Sequence, residues 1–168
     1  MFWRLVASVW RDAEGSVLVE ATILTPFLVT LMFGLFEFSW YFHKQQLVES
    51  GVRDAARYLA RVAQDSTPPT NPCTLTTPVN FEANAQNIAV TGVTSGGTAR
   101  VPGWTTGSVT ISCAAFDNSA GSYQGPSTIY LITASTTFAD PTLGYFGLLG
   151  LTARNLSASH TERSIGPG

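Results

Sequence analysis

From Val17 to Phe42 the chain is apolar almost without interruption, and Ala21 to Phe36 carries no charge at all. At 1.5 Å per residue a helix over Val17–Phe42 is about 39 Å long. A bilayer core needs about 20 predominantly apolar residues, so this run predicts a transmembrane helix. Glu20 and Glu37 bracket it; their separation of about 26 Å along a helix places both carboxylates near opposite interfaces. Trp40 and Tyr41 suit an interfacial aromatic belt. Pro26 removes one backbone hydrogen bond and frees the Thr22 carbonyl, which predicts a bend there, with the Thr22 and Thr25 hydroxyls available to fill the gap. The run is longer than the 7 to 15 residues of a secretory signal's apolar region and has no small-residue cleavage site at its end.

The pattern then changes without a break. Val48, Val52, Ala55, Leu59 and Val62 recur at steps of four and three, while Lys44, Glu49, Arg53, Asp54, Arg57 and Arg61 mostly take other faces. This is an amphipathic helix. Glu49–Arg53, Asp54–Tyr58 and Arg57–Arg61 stand four apart, and only the first is a favourable ion pair. One helix from the membrane to about Ala63 is the simplest reading. Its apolar stripe must pack on the rest of the chain or on another subunit.

A breaker cluster, Ser66-Thr67-Pro68-Pro69-Thr70-Asn71-Pro72, ends the helical pattern. Beyond it, Asn87–Thr94, Ser108–Phe116, Ser127–Phe138 and Leu151–His160 read as strands. In the second, Val109, Ile111, Cys113 and Ala115 share a face. In the third, Tyr130, Ile132, Ala134, Thr136 and Phe138 alternate with Ile129, Leu131, Thr133, Ser135 and Thr137. The expected architecture is α+β: a long N-terminal membrane-spanning helix continues into an amphipathic helix that packs on a small antiparallel sheet. The expected organisation is residues 1–15 as a leader, 16–42 as the transmembrane helix, 43–65 as the amphipathic helix and 66–168 as a Ser/Thr-rich β domain. Tyr145–Leu151 is too short to span a bilayer and reads as core or as an apolar contact surface.

Composition narrows the function. Only 12% of the 168 residues are charged and the net charge is −2, which removes the electrostatic footprint of a nucleic-acid binder. Thirteen of the twenty charged residues lie at or before Asp65, so the last 103 residues are nearly neutral. Two cysteines and two histidines, well separated, do not make a four-ligand zinc cluster. There is no Gly-x-Ser-x-Gly elbow, and Ser95-Gly96-Gly97-Thr98 lacks the lysine of a phosphate loop. The chain reads as a substrate of an enzyme, not as an enzyme, with no cofactor and no metal.

The leader junction carries the most specific signal. Glu14-Gly15-Ser16-Val17-Leu18-Val19-Glu20 places a glycine and then a glutamate at the start of a long apolar helix. This resembles a prepilin peptidase site. Across residues 15 to 61 the chain resembles the TadE-like family of the tight-adherence (Tad, or Flp) pilus system. The resemblance rests on Val19-Glu20-Ala21, Pro26, Gly34-Leu35-Phe36-Glu37-Phe38, and Gly51 with Ala55-Ala56-Arg57-Tyr58. It implies cytoplasmic cleavage after Gly15, Ser16 as the new N-terminus, and Glu20 as the pilin-type glutamate in the fifth mature position. Asp12 and Glu14 in the leader depart from the pattern, as does Ala21, where major Flp pilins usually carry an aromatic residue. The chain is also longer than major Flp pilins, which implies a minor pilin or pseudopilin. Implied partners are a prepilin peptidase, other Tad pilins and pseudopilins, and the bacterial inner membrane.

A carboxylate in a membrane helix needs a partner. For Glu20 a freed α-amino group on this chain or a neighbour can serve; the alternative is that Glu20 marks the interface and snorkels. Glu37, near the other interface, reads as a solvated or filament-packing residue. The positive-inside count conflicts with the implied topology, because Lys44, Arg53, Arg57 and Arg61 outnumber Arg4 and Arg11. The peptidase-like site nonetheless requires a cytoplasmic N-terminus and a periplasmic C-terminal domain. Cys73 and Cys113 suit that oxidising compartment. As a disulfide they close a loop of about 40 residues, worth about 4 kcal/mol on the chain-entropy model; the alternative is two buried thiols. Two functions follow: a processed TadE-like pseudopilin in Tad pilus assembly for adherence, or an unprocessed bitopic anchor with a periplasmic binding domain.

Overall fold

A computed structural model describes residues 13–62, 71–74, 79–120, 127–141 and 155–164. Helix α1 runs over Ala13–Val62 without interruption, through Pro26. Helix α2 is Phe81–Thr91, and strands β1 (Val109–Asp117), β2 (Thr128–Ala139) and β3 (Asn155–Arg163) follow. The chain divides into two units, Met1–Trp40 and Tyr41–Gly168. The Tyr145–Leu151 block and the leader as far as Asp12 lie outside the described residues.

In the first unit the apolar side chains of α1 are open, with Leu18 69% and Phe27 67% exposed. The helix hides its few hydroxyls internally. Thr22, Thr25, Thr30 and Ser39 donate to the carbonyls of Leu18, Ala21, Pro26 and Leu35 at 2.6 to 2.9 Å. This corrects the expectation at Pro26: the Thr22 and Thr25 hydroxyls each reach one turn back to an occupied carbonyl, and neither bonds the carbonyl of Thr22. The side chains lean towards the helix N-terminus, which puts the i−4 oxygen in reach.

In the second unit the stripe on α1 becomes a core. Val48, Val52, Ala55 and Leu59 are fully buried, joined by Ala56 and Ala60. Helix α2 corrects the expected strand over Asn87–Thr94. Asn80 caps it, its Oδ1 accepting from the Ala83 N–H at 3.0 Å, and Gly92 ends it at φ 84°, donating its N–H to the Ile88 carbonyl. Phe81, Ala85, Ile88 and Ala89 have helical spacing, and Ala85, Ala89 and Val90 are buried. The β-branched residues Ile88, Val90, Thr91, Val93 and Thr94 favour a strand, but the cap residues and the 3.6-residue period outweigh them.

The two helices meet where Gly51 stands. A Cβ there would come within 2.3 Å of the Ala89 carbonyl oxygen and 2.7 Å of the Trp104 ring, so only glycine permits the approach. Trp104 is buried, donates its indole N–H to Thr136 Oγ1 at 3.1 Å and stacks on Phe138 with ring centroids 5.8 Å apart.

The sheet has the order β1-β2-β3 with both pairings antiparallel. Val109, Ile111, Ile132, Ala134 and Leu156 fill its inner face. Cys113 is half-buried and Ala115 exposed, because β1 runs off the end of the core. The outer face is built of hydroxyls in register: Ser112, Thr133 and Thr161 form one row, and Thr110, Ser135 and Ser159 the next. At the β3 edge, carbonyls of Asn155 and Ser157 accept from Tyr41 Oη (3.5 Å) and Gln45 Nε2 (2.5 Å), which blunts that edge. At the end of β1, the backbone and hydroxyl of Ser119 hold the Asp117 carboxyl below its ordinary pKa.

Candidate functional site: the leader junction and the amino-terminal helix

Gly15 and Ser16 lie inside α1, which begins two residues before Gly15. Ser16 and Glu20 are both exposed and stand one turn apart on the same side of the helix. Cleavage after Gly15 would put a new α-ammonium group at a helix N-terminus, where the macrodipole is already positive. A carboxylate one turn further on offsets both charges. The spacing from Ser16 to Glu20 thus has a physical rationale within one chain as well as between neighbours.

Of the two expectations for Glu37, solvated or filament-packing, the solvated one is not met. Glu37 is only 5% exposed, although the helix around it is largely open. Lys44, one of the charged residues expected mostly on other faces than the apolar stripe, is instead buried and paired with Asp140, Nζ to Oδ2 at 2.5 Å, with both side chains out of water. The signal for Lys44 was present in the spacing, since it sits one turn before Val48 in the buried stripe. Asp140 carried no such signal, because only the end of β2 brings it to the helix. Arg100 makes a second link to α1, donating to Asp54 at 2.8 Å and Ser50 at 3.1 Å.

Cys73 and Cys113 are joined by a disulfide with a Cα–Cα distance of 6.0 Å, which ties the 71–74 turn to β1. His160 meets Glu162 at 3.0 Å. Among the described residues no group of His, Cys, Asp and Glu side chains is placed to hold a metal ion.

The architecture is that of an α+β protein with one N-terminal helix long and apolar enough to cross a membrane. The apolar window of that helix is unburied, which sets it apart from the core helix of a soluble protein. Residues 15–57 match the family model described as TadE-like protein, and over this segment the chain is similar to that family. No curated protein and no solved structure matches the chain. The match begins at Gly15 and takes in Glu20, Pro26, Glu37, Lys44, Gly51 and Arg57. Two of these now have structural reasons that the sequence did not supply: Gly51 for the helix crossing and Lys44 for the buried pair.

Proposed function

We propose that the chain is a Tad-pilus minor pseudopilin, anchored in the bacterial inner membrane by α1 with its N-terminus cytoplasmic and residues 41–168 periplasmic. A prepilin peptidase cuts it after Gly15, and the processed chain takes part in pilus assembly for adherence with other Tad pilins and pseudopilins. The observation that carries the reading is the TadE-like match over residues 15–57, which opens at Gly15 and contains the unburied apolar part of α1. The Cys73–Cys113 disulfide supports an oxidising compartment for the second unit. It also favours this topology over the one that the positive-inside count would choose.

Intact mass tests processing. Co-expression with the cognate peptidase should shorten the chain by residues 1–15 and expose Ser16, and a bulky residue in place of Gly15 should block the cut. Retention of residues 1–15 in cells with a working pilus would instead leave an unprocessed bitopic anchor. Glu20→Gln tests assembly. The variant should still insert and still be cut, but fail to co-purify with other pilins and fail to restore adherence. Full rescue would reduce Glu20 to an interface marker.

A further inference from the structure

The most unusual charge arrangement lies on the part of α1 that faces away from the core. Arg53, Arg57 and Arg61 are exposed and stand at successive four-residue steps, so three guanidinium groups line one ridge of the helix. None of them makes an ion pair among the described residues: the pairs found are Lys44–Asp140, Arg100–Asp54 and His160–Glu162. Two acids adjoin the ridge: Asp54, which Arg100 engages, and exposed Glu49, one turn before Arg53, which does not form the ion pair with Arg53 that the spacing suggests. Like charges at this spacing destabilise a helix on its own. They are also costly in composition, since the chain has only nine Lys and Arg in all. The same ridge supplies most of the positive charge that conflicts with the implied topology. A groove of about 420 Å³ runs beside it, lined by Asp54, Arg57, Tyr58, Arg61 and Val62.

We infer that this ridge and groove are a docking surface for an acidic helix of a partner protein, with carboxylates at four-residue spacing facing Arg53, Arg57 and Arg61. The occupant follows from charge and length. Three cations spread over about 12 Å of helix outreach a single phosphate or carboxylate. A helix with Asp or Glu at matching steps presents the same spacing, and Arg is the cation suited to two-pronged pairing with carboxylate. A nucleic acid needs a wider basic footprint than this chain of net charge −2 provides. The ridge begins about 18 Å along the helix from Tyr41 and ends about 30 Å from it. Both distances exceed the screening length of about 8 Å at physiological salt, which disfavours the headgroups at an interface marked by Tyr41. The inference goes beyond the pilus reading, and its test needs no peptidase.

The test uses the full chain in nanodiscs of zwitterionic lipid and two labelled helical peptides of identical composition. One carries Glu at positions i, i+4 and i+8; in the other the same residues are permuted so that the carboxylates surround the helix. Fluorescence anisotropy should show the in-register peptide binding at least fivefold more tightly. Arg53→Gln/Arg57→Gln/Arg61→Gln should weaken it at least tenfold, and Arg163→Gln should leave it within twofold. These variants are at exposed positions and keep the fold, which circular dichroism checks. Equal binding of the two peptides, or no loss in the triple variant, overturns the inference. Vesicles of anionic lipid that bind the wild type, fail to bind the triple variant and displace the in-register peptide would overturn it in favour of a lipid surface.

Discussion

The two halves of α1 are one helix with two kinds of surface, one open and apolar, the other packed into a core. Between Val17 and Phe36 every side chain except Gly34 is exposed, hydroxyls are bonded to the helix's own backbone, and a Cβ added at Gly34 would meet nothing within 4 Å. From Lys44 to Leu59 one stripe is sealed from water, polar contacts are made to other elements, and a Cβ at Gly51 would collide with backbone. The difference shows what each half must satisfy. Lipid asks only that polar groups be hidden within the helix. A protein core asks for matched shapes and paired charges.

The largest expected break in this comparison is at Lys44. Lys44→Ala removes the ammonium that the buried Asp140 carboxylate pairs with and should cost about 3 to 5 kcal/mol of the stability of the 41–168 unit. Urea unfolding of the nanodisc-held chain, followed by tryptophan fluorescence, measures it. Joint replacement of Lys44 by Met and Asp140 by Leu should recover most of that loss. If the single variant is as stable as wild type, the pair is not a structural element.

Next comes the disulfide. Removing the 40-residue cross-link should cost about 4 kcal/mol on the chain-entropy model. The comparison is unfolding with and without reductant, paired with non-reducing peptide mapping. Membrane insertion, which depends on the other half of α1, should be unaffected.

Gly51 and Gly34 form a matched pair of smaller effects. Gly51→Ala forces the Ala89 backbone and Trp104 to move and should destabilise by about 1 to 3 kcal/mol. Gly34→Ala meets open space and should be neutral or stabilise the helix by about 1 kcal/mol at most. Equal effects at the two positions would refute the contrast between the halves.

Much of this was legible in the amino-acid order because it depends on periodicity alone. The apolar run, the continuous helix to Val62, the buried positions Val48, Val52, Ala55 and Leu59, and the alternation in β2 are local patterns that burial has only to select. The glycine and glutamate at the leader junction were visible for the same reason, as fixed spacings at the start of a helix. Asn87–Thr94 misled because a short run rich in β-branched Ile88, Val90, Thr91, Val93 and Thr94 does not by itself decide between strand and helix. The Asn80 cap, the Gly92 turn and packing against Gly51 decided for the helix. Lys44–Asp140, Arg100–Asp54, Trp104–Thr136 and the hydroxyl rows of the sheet belong to the tertiary structure. Each joins residues about 20 to 100 positions apart, so no local pattern encodes it. Only the chain's closure around one core sets which distant polar groups meet and which, like the three arginines of α1, are left facing outward.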